Sequence, residues 1–93
     1  MKQNYQYPLD DQWTTAEIIS VTNFFRQVED AYEKGTNRTE FLKTYAAFKE
    51  IVPAMAEEKR LGREFEAATD YSLYQAVKLA RSLQTKRFKM TSK

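Results

Sequence analysis

Cysteine and histidine are both absent from the 93 residues of this sequence. Without cysteine the chain has no disulfide bond, no thiolate nucleophile and no zinc-thiolate site, as is usual in the reducing cytoplasm. Without histidine it lacks the commonest metal ligand and the side chain whose pKa best suits acid-base catalysis near neutral pH. We therefore expect a protein that is not an enzyme and that binds no metal ion and no cofactor.

Glycine and proline are scarce, with two residues of each. A glycine-rich phosphate-binding loop cannot be built from so few glycines, and the connections between elements must be short. Hydrophobic residues, in contrast, make up 42% of the chain and include six Phe, six Tyr and one Trp. This composition is typical of one folded domain, close to the smallest size at which a single apolar core suffices.

Long apolar runs are missing as well. No stretch approaches the roughly 20 apolar residues that are needed to span a bilayer. The polar start MKQNYQ also lacks the apolar stretch of a signal peptide. We therefore expect a cytoplasmic protein with no membrane segment.

The charges are distributed unevenly along the chain. Up to Asp70 there are nine basic and thirteen acidic residues, whereas beyond Asp70 there are six basic residues and no acidic one. The C-terminal quarter is therefore a basic strip, although the net charge of the whole chain is only +2. A strip of this kind raises the question of an anionic partner.

Apolar residues recur at spacings of three and four through most of the chain, which is the period of amphipathic helices. Gly35 is suited to end the first helix, and Pro53 separates the second from the third. Thr14, Asn37 and Ser72 are each followed three residues later by Glu or Gln, the capping-box pattern of a helix start. We predict an all-α fold in which four helices form a compact bundle followed by a frayed basic tail, with helices at about 14–34, 39–52, 54–69 and 72–85 and the tail at 86–93.

An extended aromatic arm is predicted at residues 1–13, before the first helix. Tyr5, Tyr7 and Leu9 occupy alternate positions, so an extended backbone would point all three to one side. Trp13 stands just before the helix cap, at the spacing of a hydrophobic staple. The arm either completes a core that is too small to close by itself, or docks on a partner or on a second copy of the chain.

The order and spacing of several short motifs resemble uncharacterised protein family 0223, the YktA-like small proteins of low-GC Gram-positive bacteria. The resemblance implies a compact all-helical domain of unassigned function, and it supplies no catalytic residues. The motifs that carry it are YQYPL at 5–9, WTTAE at 13–17, VEDAYEKG at 28–35, FKEIVP at 48–53, AEEK at 56–59, REFE at 63–66 and YSLY at 71–74.

A group of carboxylates on the predicted third helix is the only candidate metal site. Di-metal helical bundles combine inward Glu residues with Glu-x-x-His pairs, and this chain has no His to complete that pattern. Basic residues also alternate with the carboxylates at helical spacings, as on a solvated charged face. We therefore expect no metal at Glu57, Glu58, Glu64, Glu66 and Asp70.

The third and fourth predicted helices, which lead into the basic strip, superficially suggest a helix-turn-helix motif. Glu66 stands where that motif requires a small residue, and Asp70 stands where its turn favours Gly. Leu73 and Tyr74 occupy the start of the second helix, where base-reading side chains would belong. Cations near a helix C-terminus also stabilise the helix dipole by about 0.3 to 1 kcal/mol each. Phe88 alone gives little anchorage to a membrane surface.

The leading hypothesis is therefore a small non-catalytic cytoplasmic protein-interaction module of unknown function, with an unidentified protein partner or a second copy as its ligand. The alternative is a nucleic-acid-associated accessory protein that uses the basic C-terminal helix. The candidate interaction residues are Tyr5, Tyr7, Leu9, Trp13, Lys78, Arg81, Lys86, Arg87 and Lys89.

Overall fold

The computed structural model describes residues 7–90, and these residues form a compact all-α fold with one very small antiparallel sheet. This confirms the predicted fold class of four helices. No helix among residues 7–90 combines the length and the apolar character that crossing a membrane requires. In chain order the elements are α1 (Thr15–Glu33), β1 (Thr36–Asn37), α2 (Arg38–Ile51), α3 (Met55–Thr69), α4 (Leu73–Ser82) and β2 (Arg87–Phe88).

The helix starts are stabilised by side-chain caps. The Thr14 hydroxyl accepts a hydrogen bond from the backbone N–H of Glu17 at 3.1 Å, and the Glu17 carboxylate accepts one from the backbone N–H of Thr14 at 2.9 Å. This confirms the predicted capping box of α1. The Asn37 and Ser72 side chains also accept a hydrogen bond from the backbone N–H three residues further on, at the starts of α2 and α4.

The helix ends depend on residues that tolerate or impose unusual backbone angles. Gly35 follows α1 with φ of 87°, a left-handed conformation that strains any residue with a Cβ atom. Asp70 ends α3 in the same region, with φ of 70°. Pro53 lies between α2 and α3, which are therefore separate helices. The helix α4 ends at Ser82, three residues before the predicted end.

The core is dominated by phenylalanine. Phe24 and Phe25 on α1 are fully buried, and the ring centroid of Phe24 lies 4.9 Å from that of Phe48 on α2. The ring of Phe25 stacks on that of Phe65 on α3 at 4.9 Å. Each buried Phe stabilises the fold by about 1.5 to 3 kcal/mol relative to an exposed one. A single aromatic cluster therefore joins α1, α2 and α3.

The prediction that the chain frays from residue 86 is wrong for residues 86–90. Phe88 in β2 pairs with Thr36 in β1, is only 5% exposed, and packs edge-on against Phe41 with ring centroids 5.1 Å apart. The backbone N–H of Met90 donates a hydrogen bond to the carbonyl oxygen of Ala31 at 2.8 Å. Helical periodicity did not reveal this contact because Phe88 reaches the core from a short strand.

Candidate functional site

Two of the predicted arm residues contact the core of the chain itself. The Tyr7 hydroxyl donates a hydrogen bond to Glu29 Oε1 at 2.9 Å, and its ring centroid lies 5.3 Å from that of Phe25. Trp13 is half-buried and packs against the same core. Leu9 is 45% exposed. Since Tyr5 lies outside the described residues, the arm as a whole stays a prediction, and the contacts of Tyr7 favour the core-covering interpretation.

Glu29 is the most perturbed carboxyl group among the described residues. Burial, followed by the nearby Glu33 and Asp30 carboxylates, raises the pKa of Glu29 to about 7. Its Oε1 accepts the Tyr7 hydrogen bond, while its Oε2 is buried and has no hydrogen-bond partner among the described residues. Glu33 accepts a separate hydrogen bond from the Tyr71 hydroxyl at 2.8 Å. This region is therefore an acidic patch of α1 covered by tyrosines.

A groove of about 870 Å³ runs between α3 and α4 on another part of the surface. Its lining extends over residues 55–66 of α3, the cap residue Ser72 and residues 73–82 of α4, with Tyr45 contributed by α2. We call it the α3–α4 groove. It is the candidate functional site because its lining combines apolar side chains, exposed cations and one exposed tyrosine.

The floor of the α3–α4 groove is apolar. Leu73 and Val77 of α4 are buried there, and Leu73 packs beside Gly62, where an added Cβ atom would lie at an ordinary contact distance of 3.7 Å from Leu73 Cδ1. The Tyr45 hydroxyl donates a hydrogen bond to Glu58 Oε2 at 3.0 Å, and burial together with this bond raises the pKa of Tyr45 to about 12. The phenol of Tyr45 therefore stays neutral at physiological pH.

Four exposed cations border the α3–α4 groove and form what we call the cationic rim. They come from both helices, and no ion pair links any of them to another residue within 7–90. The Arg81 guanidinium lies 5.4 Å from the ring centroid of Tyr45, and the Lys78 ammonium lies 5.9 Å from that of Tyr74. The members of the cationic rim are Lys59, Arg63, Lys78 and Arg81.

Two acidic residues also line the α3–α4 groove. The negative charge of Glu58 is already balanced, because its Oε1 pairs with the Lys49 ammonium at 2.5 Å. Its Oε2 accepts the Tyr45 hydrogen bond. Glu66 is exposed. The four cations therefore face one uncompensated carboxylate, and the groove is electropositive.

Large exposed hydrophobic side chains mark the edges of the α3–α4 groove. Met55 is 57% exposed and Tyr74 is 67% exposed, and both line the groove. Neither of them is among the candidate interaction residues that the sequence predicts. The signal for Tyr74 was its position beside the apolar stripe of the fourth helix, but residue spacing alone cannot show how far apart two helices lie.

The carboxylates of α3 do not act as one group. Arg60 binds Glu64 at 3.0 Å and Glu57 at 3.5 Å, so these acids lie on a charged outer face of the helix. Glu58 instead points to Tyr45 and Lys49. Within residues 7–90, no three acidic side chains come together in an arrangement that could hold a metal ion.

The five residues of the predicted basic site are divided between two places. Lys78 and Arg81 lie on α4 and belong to the cationic rim. Lys86, Arg87 and Lys89 lie beyond the end of α4, exposed around β2. The five residues therefore do not share one helical face, as a recognition helix in a DNA groove would require.

The fold and the groove together define a class: a small all-helical protein with an electropositive, partly apolar surface groove. The chain belongs to the Uncharacterised protein family (UPF0223), whose model matches residues 4–89. This confirms the resemblance seen in the sequence. The family has no assigned function, so the function of this chain is unknown.

The curated relatives cover almost the whole chain. The chain is 55% identical over 86 residues to the UPF0223 protein YktA of Bacillus subtilis (strain 168), a match that covers 92% of this chain and 98% of that protein. It is 51% identical over 84 residues to a UPF0223 protein of Streptococcus gordonii, covering 90% of this chain and 91% of that protein. It is 54% identical over 78 residues to the UPF0223 protein YfdD of Lactococcus lactis subsp. lactis (strain IL1403), covering 84% of this chain and 84% of that protein.

Proposed function

We propose that this protein is a small non-catalytic protein-interaction module of the cytoplasm, and that the α3–α4 groove binds its partner. One observation carries the proposal. Tyr74 is the only aromatic residue among the described ones that is mostly exposed, and it lies beside an apolar groove. Aromatic residues and methionine are enriched at the centres of protein interfaces, and Met55 is exposed at the same groove.

We also propose that the protein is not an enzyme. The chain has no His or Cys to act as a base or nucleophile. Glu29 has a pKa of about 7, but its contacts are with Tyr7 and with acids of its own helix, and it does not line the α3–α4 groove. We therefore assign Glu29 a structural role, as the acceptor of the Tyr7 hydroxyl.

Site-specific photo-cross-linking in cells tests the proposal. A benzophenone amino acid is introduced at Tyr74, and a matched variant carries it at Ile19, which is 56% exposed on α1 and does not line the groove. We expect a discrete protein adduct from position 74 and none from position 19. Identical adduct patterns from the two positions, or no adduct from position 74, would contradict the proposal.

A nucleic-acid-associated accessory protein is the second candidate, favoured by the rim cations, which form no ion pair within residues 7–90, and by the exposed basic residues around β2. Its test is the salt dependence of binding to duplex DNA, since each neutralised phosphate contributes about −0.9 to the slope of log K against log salt. Replacing Lys86, Arg87 and Lys89 with Gln would then flatten the slope by about two to three units. We expect weak binding at low salt instead, with no such change.

A further inference from the structure

We propose that the segment bound in the α3–α4 groove is an acidic amphipathic helix of a partner protein. This inference rests on the proposed function and specifies the chemistry of the partner. Three properties of the groove support it: its shape, its apolar floor and the arrangement of its charges.

The shape of the groove suits a third helix. The helix α3 has 15 residues, which corresponds to about 22 Å at about 1.5 Å per residue. A partner helix of about four turns would lie along this length and contact both walls. Binding of an amphipathic helix in a groove between helices is a recurring mode of peptide recognition, with anchor residues at helical spacings.

The floor of the groove suits an apolar stripe. Leu73, Val77 and Tyr45 are largely buried and form the apolar floor of the groove. Met55 and Tyr74 are the exposed hydrophobic residues at the edges, and both would lose solvent contact when a helix binds. Residues at spacings of three and four on the partner would fill this surface.

The charges of the groove specify the flanks of the partner helix. Lys59 and Arg63 are four residues apart on α3, and Lys78 and Arg81 are three residues apart on α4, so each wall presents two cations on one helical face. Glu58 pairs with Lys49, so Glu66 is the one carboxylate of the lining left to oppose the four cations. Acidic side chains on both sides of an apolar stripe complement this arrangement.

Two of the rim cations are held over aromatic rings. The contacts of Arg81 with Tyr45 and of Lys78 with Tyr74 keep these head groups close to the groove. Positioning of this kind reduces the side-chain entropy that is lost on binding. It also brings positive charge and aromatic surface together, which favours a partner with adjacent apolar and acidic residues.

A second copy of this chain is a poorer occupant than a separate partner. Each of the four helices already buries its apolar face in the core of its own chain. No helix among residues 7–90 therefore has an uncovered apolar stripe to place in the groove of another copy.

The test uses the full chain and two fluorescein-labelled helical peptides of about 18 residues, long enough to form helix on binding. Both peptides carry the same Leu and Ile stripe, and their flanking positions are Glu in one and Lys in the other. Fluorescence anisotropy measures each dissociation constant at low and at physiological salt. We expect the acidic peptide to bind at least about tenfold more tightly than the basic one, with a preference that falls as salt rises.

Charge-reversal variants locate the preference. Replacing Lys59 and Lys78 with Glu changes one exposed cation on each wall, and we expect the preference to reverse towards the basic peptide. The matched control is Lys43→Glu, an exposed residue of α2 that does not line the groove, and it should leave the preference unchanged. Tyr74→Ala should weaken acidic-peptide binding by about tenfold or more, as loss of an aromatic anchor does. Thermal melts of all variants confirm that they fold.

The outcomes that overturn this inference differ from those that overturn the proposed function. Equal binding of the two peptides, or binding of neither, would refute the acidic helix, while a cross-link from position 74 would still support an interaction module. Displacement of the acidic peptide by single-stranded DNA at lower concentration than by unlabelled peptide would assign the groove to a polyanion. A dimer in sedimentation that Tyr74→Ala dissociates would assign it to a second copy.

Discussion

Tyr7 and Tyr74 use the same side chain in opposite ways, and they represent two regions of the molecule. The Tyr7 ring packs on the phenylalanine core, and its hydroxyl binds Glu29. Tyr74 is 67% exposed at the α3–α4 groove and lies under a lysine. The first region uses its aromatic surface for stability, whereas the second leaves it accessible. Substitutions in the two regions should therefore affect different measurements.

The largest effect on stability is expected from Phe65→Ala. This side chain is fully buried, and its ring stacks on Phe25 and contacts Tyr7 at a centroid distance of 6.2 Å. Removing a buried Phe leaves a cavity and costs about 3 to 5 kcal/mol. Urea denaturation measures the change in the free energy of unfolding. A loss below about 1 kcal/mol, typical of exposed sites, would show that α3 is not held by the aromatic core.

Glu29→Gln should stabilise the protein at neutral pH. The pKa of Glu29 is about 7 in the folded chain, against an ordinary value of 4.5, so between these values the folded chain holds a proton that the unfolded chain has released. Protonated Glu29 therefore contributes to the free energy of unfolding. This contribution is fully present below pH 4.5 and is lost as the pH rises through 7. Because the group is only partly buried, we expect a gain of about 1 kcal/mol above pH 7.

Urea denaturation at a series of pH values checks this prediction. Glu33, Asp30 and the phenols of Tyr7 and Tyr71 are the titratable groups that interact with Glu29, and they are the same in both proteins. The variant should show a flatter dependence of stability on pH between 4.5 and 7 than the parent. The control is Glu50→Gln, an exposed acid of α2. Parallel curves for Glu29→Gln and the parent would contradict the assignment.

A smaller gain is expected from Gly62→Ala at the groove. Glycine in the middle of a helix is less stable than alanine by about 0.5 to 1 kcal/mol. The added methyl group would meet Leu73 Cδ1 at 3.7 Å, which is an ordinary van der Waals distance. Thermal denaturation should therefore show a small rise in melting temperature. Gly35→Ala is the contrasting variant and should destabilise, because φ is 87° and the new atom would lie 3.2 Å from the Phe88 carbonyl oxygen.

The smallest effect on stability is expected from Tyr74→Ala. Substitution of exposed residues usually changes the free energy of unfolding by less than about 0.5 kcal/mol. The same variant should weaken peptide binding, which separates it from Phe65→Ala. A loss of several kcal/mol in urea denaturation would show that Tyr74 supports the fold and would remove it as an interaction residue.

Local features of the fold could be predicted from the sequence, whereas contacts between distant residues could not. The helical period, the caps at Thr14 and Asn37 and the glycine at Gly35 act locally, so the all-α fold and the start of α1 could be predicted. The role of Phe88 could not, because its contact with Phe41 joins residues that are far apart in the sequence and depends on two very short strands.

The groove is a further feature that local patterns do not determine. Lys78 and Arg81 were predicted as interaction residues from charge alone, and the structure places them beside Tyr45 and Tyr74. The groove is lined by residues of α3, α4 and α2 that lie far apart in the sequence. Its shape depends on how these helices pack on the core, which no single stretch of sequence encodes.

The central claim, that partners bind the α3–α4 groove, is tested most directly by an NMR titration of the isotope-labelled full chain with the acidic helical peptide. We predict saturable shifts of backbone amides at residues 55–66 and 72–82, with unchanged signals from the amides around Tyr7 and Phe25. Shifts confined to the region of Tyr7, Leu9 and Trp13 would contradict it and would show that the N-terminal segment is the docking surface.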